Sequence, residues 1–378
     1  MENQILKMGK HQKHTNLVRR ENDHFASNEI SILGTNCGII SELIHSVSEQ
    51  LSKYKLAYFD ASHAKNVTKN KIAEYTFHHE GNLQITTSGI VNKFEQRLQF
   101  AQYDFVFVNG NHYQGVKQIL ILDEEKEASV LKRLEQLDRI EFVVKLKKEN
   151  TFFSFLEEKY PQINNVKCYT IDEVSKIANH IDRLIQERLP PVKGLVLVGG
   201  KSTRMGVDKS ELDYHGIPQK KYVQKIVENH KLETYFSVQV PSENESEISD
   251  VFLNLGPFGG ICSAFQKDPN TAWLVIATDL PFINEEVIQL LLQKRNPSKV
   301  ATAIRGKGNE FVEPLITIYE PKAYPVLLQY LAQGYSCPRK MLINSDVEIV
   351  EVDASLIRNI NTPEAFEVAK KEINTKNG

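Results

Sequence analysis

Two glycines, an arginine, a third glycine and an Asp-Lys pair follow an apolar run in GLVLVGGKSTRMGVDK, residues 194–209. Those residue types suit a strongly anionic ligand. Gly199 and Gly200 let the backbone approach a ligand closely and aim N–H groups at it. Arg204 and Lys209 add mobile positive charge of the kind that grips a triphosphate, and Asp208 stands where it could hold the lysine in place. The loop is not a P-loop, which ends in G-K-[ST], nor the G-x-G-x-x-G of a dinucleotide site.

Three later stretches could complete such a site. In LGPFGG (255–260), Gly256 opens a Gly-Pro turn before a helix. It either simply turns the chain or makes a bend against which a base or ribose packs. In WLVIATDLPFI (273–283), a buried strand delivers Asp279 at its carboxyl end, where ligands of open α/β sheets sit. One carboxylate beside bound phosphates is what Mg2+ takes, the rest of its shell being water and phosphate oxygen. In RNINTPEAF (358–366), Asn359 and Asn361 are either turn residues before a helix or amides that reach a phosphate or a second metal position.

These residues need strands and helices to hold them. From Glu29 to about Glu187, short apolar strands (EISILG, KLAYFD, DFVFVN, KQILILD, IEFVVK) alternate with helical stretches such as IISELIHSVSEQL, 39–51. That alternation predicts a parallel α/β sheet. A helix over about 171–188 closes the section. Pro190 and Pro191 then break the chain, and a fresh strand starts at once. Afterwards come strands at 195–198, 235–240, 272–277, 300–304, 314–318 and 347–352, with helices near 218–230, 259–266, 284–294, 321–332 and 363–373. Thr362 is placed to cap the last of these and Pro363 to start it. The expected organisation is a polar arm (1–28) followed by two tandem α/β domains, 29–190 and 191–378.

Composition narrows the partners. A net charge of −2 creates no global field for nucleic acid or a membrane surface, so any anion site must be local. The apolar runs are strand-sized, far short of the ~20 residues of a membrane span. The first residues, MENQILKMGKHQKH, show no apolar core of a secretory signal. Four cysteines without C-x-x-C spacing read as free thiols. A cytoplasmic protein is expected, with no nucleic-acid or membrane partner.

Taken together, the four stretches resemble the molybdenum cofactor guanylyltransferases, the MobA-type nucleotidyltransferases. That family's L-A-G-G-x3-R-M-G-x-D-K loop stands here as LVGGKSTRMGVDK, with Val198 replacing the usual Ala. Its G-P-L-x-G turn stands as GPFGG, its D-x-P-[FY] metal strand as DLPF and its N-x-N-T-P-E close as NINTPE. The resemblance covers residues 192–376 and implies a Rossmann-like α/β/α layer. It implies nucleotide contacts at Leu197, Val198, Gly199 and Lys209, an acidic nucleotide contact at Asp250, and a magnesium ligand at Asp279. Where the family often carries an asparagine after its second strand, this chain has Gln239, whose amide can still reach a base edge.

The implied reaction joins GMP from GTP to the terminal phosphate of molybdopterin and releases pyrophosphate. GTP, molybdopterin and Mg2+ are then the expected ligands, and molybdoenzymes or cofactor-insertion proteins the expected protein partners. An already ionised phosphate needs no general base, and no His or Glu lies between Gly199 and Lys209. The difficulty is bringing two anions together, which Arg204, Lys209, the loop N–H groups and a cation on Asp279 would ease.

The first half carries SILGTNCGIIS (31–41) where a P-loop would stand, after a strand and before a helix. Counting from Gly34, Ile39 and Ile40 occupy the Gly-Lys positions, and only Ser41 fits. The half resembles a degenerate, P-loop-like partner of the same pathway (MobB-type), without the means to hydrolyse a nucleotide. His63, His79 and His112 have no ligand spacing among themselves. Two alternatives stay open: a cytidylyltransferase acting on molybdopterin or another phosphorylated small molecule, and a protein that binds and delivers cofactor without turning it over.

Overall fold

The computed structural model describes residues 25–26, 28–62, 72–79, 81–86, 93–198, 208–240 and 242–377. The chain divides into two compact units, Met1–Ile185 and Gln186–Gly378.

The first unit is built on strands β1 (Glu29–Leu33), β2 (Leu56–Phe59), β3 (Glu74–Phe77), β4 (Leu83–Thr86), β5 (Phe105–Asn109), β6 (Gln118–Leu122), β7 (Ile140–Lys145) and β8 (Cys168–Thr170). Helices α1 (Cys37–Gln50), α2 (Lys93–Phe100), α3 (Glu127–Leu131), α4 (Ser154–Lys159) and α5 (Val174–Gln186) connect them. Six strands form one sheet in the order β2-β5-β1-β6-β7-β8, and every pairing in it is parallel. The β1, β5 and β6 residues are buried throughout, as befits strands covered on both faces. The hairpin β3-β4, the short β8 and helices α2 to α4 were not anticipated from the sequence. EYTF and LQIT are four-residue segments with polar neighbours, too short for periodicity to reveal.

The second unit has strands β9 (Val192–Leu197), β10 (Thr234–Val238), β11 (Glu247–Ser249), β12 (Ala272–Ala277), β13 (Ala301–Gly306), β14 (Glu313–Tyr319) and β15 (Val347–Val352). Its helices are α6 (Gln219–Glu228), α7 (Pro257–Lys267), α8 (Glu285–Gln293), α9 (Ala323–Ala332), α10 (Pro338–Ile343) and α11 (Pro363–Asn377). The sheet order is β11-β10-β9-β12-β14-β13-β15. Strand β14 runs antiparallel to both neighbours, while the other pairings are parallel. The loop from β13 to β14 is too short for the crossover that a parallel neighbour requires. Two apolar layers cover the sheet, one containing Ile276, Ile304 and Ile316, the other Trp273, Phe258 and Phe265. This is the expected fold class, two tandem α/β units, the second with a Rossmann-like layered sheet.

Candidate active site

Three parts of the second unit that are far apart in the chain meet beyond the carboxyl ends of β9 and β12. Asp279 stands two residues past the end of β12, after Thr278. Lys209 opens a short 3-10 turn, Lys209–Glu211. Asn361 lies just before α11. Nζ of Lys209 donates to Oδ1 of Asn361 at 2.5 Å and stands 4.0 Å from Oδ2 of Asp279. The Asn361 segment is itself anchored to the Asp279 strand end. The Ile360 N–H donates to the Asp279 carbonyl at 2.9 Å, and the Arg358 guanidinium lies 4.2 Å over the Phe282 ring. Thr362 caps α11 by accepting from the Ala365 N–H. Asn359 and Asn361 are both exposed; it is Asn361 that the Lys209 ammonium meets.

One sequence expectation needs correction. Asp208 does not hold Lys209; its Oδ1 accepts the Ser210 N–H and so caps the 3-10 turn that carries the lysine. The lysine is placed instead by the Asn361 amide. Capping is the ordinary use of an Asp at such a position, because its short side chain reaches only the N–H groups just ahead.

Asp279 is electrostatically exposed to change. Its Oδ1 is enclosed and has no hydrogen-bond partner among the described residues, although the side chain as a whole keeps 26% of its surface. Desolvation pushes its carboxyl above the ordinary carboxylate range, and the charge of Lys209 only partly opposes this. Glu313 is close enough to feel that charge. Burial raises its carboxyl, the Leu315 N–H and Arg339 pull it down, and Asp279 pushes it up again. The buried Tyr214 phenol is likewise raised by desolvation and by Asp279.

An orphaned carboxylate oxygen with a second carboxylate nearby fits Mg2+, which needs one or two carboxylates and takes its other ligands from water and phosphate. Among the described residues, no group of three or more His, Cys, Asp or Glu could hold a metal by itself. Glu313 and Tyr214 were missed in the sequence. Glu313 begins an otherwise apolar strand, EPLITIY, a charge at the rim of a core strand that could have marked it.

The remaining expected residues surround a second feature. A cavity of about 340 Å3 is lined by Val198, Asp208, Ser210, Phe236 and Gln239 among others, which brings Val198 and Gln239 together. Leu197 is buried at the end of β9. Asp250 sits beside the end of β10, its Oδ1 accepting from the Ser237 hydroxyl at 3.1 Å, and desolvation raises its carboxyl.

Gly256 is the N-cap of α7 with a φ of 57°, a left-handed conformation that glycine adopts without strain. The glycines after Pro257 lie inside α7. A Cβ on Gly260 would come 2.5 Å from the Ser237 hydroxyl oxygen, so this glycine sets the close packing of α7 on β10. Gly199, Gly200 and Arg204 lie outside the described residues, as does His63.

Residues 194–348 match the MobA-like NTP transferase domain family. A Synechocystis molybdenum cofactor biosynthesis bifunctional protein is 33% identical over 183 residues, which are 47% of this chain and 53% of that protein. The match therefore spans about half the length of that relative. A probable molybdenum cofactor guanylyltransferase of Clostridium perfringens is 28% identical over 47% of this chain and 96% of its own length. The crystal structure of molybdopterin-guanine dinucleotide biosynthesis protein A from Archaeoglobus fulgidus is 25% identical, with a TM-score of 0.41 over 48% of this chain and 99% of that one. The C-terminal half carries a MobA-like NTP transferase domain.

Proposed function

We propose that the second unit transfers GMP from GTP to the terminal phosphate of molybdopterin, with release of pyrophosphate. The observation that carries this reading is the meeting of Lys209, Asn361 and Asp279 in a family-matched nucleotidyltransferase domain. The similar molybdenum cofactor biosynthesis protein and probable molybdenum cofactor guanylyltransferase supply the substrate class. Lys209 would neutralise the triphosphate, with Arg204 and the N–H groups of Gly199 and Gly200 beside it. Asn361 keeps the Lys209 ammonium directed at Asp279 when no phosphate competes for it. Asp279, with Glu313 behind it, would hold Mg2+. That ion, when bound, supplies charge for the phosphates and so lowers the cost of approach of two anions.

The cavity beside Gln239 would take the base, and Asp250 would contact the sugar or base from the β10 side. The acceptor phosphate is already ionised near neutrality, so the site needs positioning and charge, not a base. The first unit would serve as an adaptor.

The test is pyrophosphate release by the full chain with GTP, CTP or ATP, with and without molybdopterin and Mg2+. Release that requires both GTP and molybdopterin supports the proposal. Preference for CTP would make the protein a cytidylyltransferase, and tight GTP binding without release would make it a binding or delivery protein.

A further inference from the structure

The loop that stands in the place of a P-loop in the first unit holds a different kind of chemistry. Strands β1 and β5 are neighbours, yet the connection from β1 leads to β2 on one side and that from β5 to β6 on the other. Ligands of open α/β sheets sit in the crevice outside such a point. There, Cys37 is the first residue of the 14-residue α1, with Asn36 as its cap. His112, from the loop after β5, places Nε2 3.3 Å from the Cys37 sulfur. Asp60, just beyond β2, places Oδ1 3.9 Å from the same nitrogen.

The cluster is supported from several sides. Asn111 donates to the Thr35 carbonyl at 2.8 Å and comes within 3.8 Å of the Cys37 sulfur. Tyr58 donates to the other Asp60 oxygen at 2.8 Å, and Asn109 donates to Tyr58. The Thr35 hydroxyl is tied to Asp123 at 2.6 Å. Burial works to raise the Asp60 carboxyl, but hydrogen bonds from Tyr58, Asn109 and the Ala61 N–H, together with the His112 ring, outweigh it and keep the group below its usual range. A carboxylate is therefore present beside the imidazole across the neutral range. Ile40, at the position of a P-loop lysine, is fully buried in the core and offers nothing to a phosphate.

We propose that Cys37, His112 and Asp60 form a thiol site that exchanges with small soluble disulfides. The Cys37 proton passes to Nε2 of His112, and Asp60 stabilises the imidazolium. The thiolate attacks one sulfur of R–S–S–R. A new S–S bond forms to Cys37, the old one breaks with its electron pair on the departing sulfur, and that thiolate takes the proton from His112 to leave as RSH. Sulfur is neither gained nor lost, and the disulfide is the oxidant.

The other thiols provide internal controls. Cys168 and Cys337 are partly exposed like Cys37, but the Cys168 sulfur donates to the Val166 carbonyl and burial raises that thiol. Cys262 is buried and its thiol pushed up to about 12.

The full chain is incubated with glutathione disulfide at pH 7, and mixed disulfides are timed by peptide mapping. Cys37 should react about tenfold faster than Cys168 or Cys337, and His112→Gln should remove about that factor while leaving the Cys168 rate unchanged. Should His112→Gln unfold the unit, shown by a faster Cys168, the Asp60→Asn rate decides, with a smaller slowing of Cys37 expected. Equal rates at Cys37 and Cys337, or a Cys37 rate unaltered in the folded variants, would overturn the proposal.

Discussion

Nζ of Lys209 and Oδ1 of Asn361 lie 2.5 Å apart although 152 positions separate them in the chain. That contact joins the two ends of the nucleotidyltransferase unit over Asp279. It makes the position of the lysine's ammonium depend on the Asn361 segment, while Asp208 caps the turn from which the lysine projects. The coupling is directly measurable. Lys209→Ala should raise the KM for GTP and lower kcat, since the ammonium acts in both ground and transition states. Asn361→Ala should show a weaker form of the same defect. In a double-mutant cycle the two losses should fall short of additivity by about 1 kcal/mol. Additive losses would show that the amide and the ammonium work separately.

Asp279→Asn should lower turnover on the order of a hundredfold or more, because a preorganised electrostatic contribution is lost. Near wild-type turnover with unchanged magnesium dependence would remove Asp279 from the chemistry.

The same substitution carries a pH signature. Burial raises the Asp279 carboxyl in the folded state. Such a group contributes stability at low pH and loses it as pH rises through its folded value, above the ordinary ~4. Asp279→Asn removes that loss. Without metal, the variant's Tm should therefore gain on wild type progressively from pH 4 to 7. A constant difference across that range would refute the assignment.

Glu320 is 1% exposed and forms two hydrogen bonds with Arg295, at 2.7 and 2.8 Å, while Arg295 also donates to the Pro190 carbonyl at 2.9 Å. Glu320→Ala strands a largely buried guanidinium, which should cost about 3–5 kcal/mol in denaturant unfolding. A loss below about 1 kcal/mol would mean that solvent reaches the arginine after all.

Gly260→Ala should destabilise the second unit by about 1–3 kcal/mol, since its methyl would meet the Ser237 hydroxyl. Adding Ser237→Ala should recover part of the loss while removing the hydrogen bond to Asp250. No recovery in the thermal melt would place the strain elsewhere.

Much of this was legible in the sequence because it is local. Alternating apolar runs and helical stretches announced the α/β class, while Pro190-Pro191 suggested a change of unit near 190–191 and the two compact units divide at Ile185/Gln186. Lys209, Asp279 and Asn361 each stood in a motif whose residue types suit phosphate or metal. What the chain order could not show was their mutual distance. Only folding brought Asn361 to Lys209 and left Oδ1 of Asp279 buried without a partner among the described residues. Glu313 and Tyr214 went unread because a carboxylate and a phenol matter there through their depth beside Asp279, which no local pattern encodes. The reversal of β14 depended on a loop too short to cross over. Cys37, one thiol among four in the sequence, met His112 and Asp60 only because parallel pairing sets β1, β5 and β2 side by side with their carboxyl ends together.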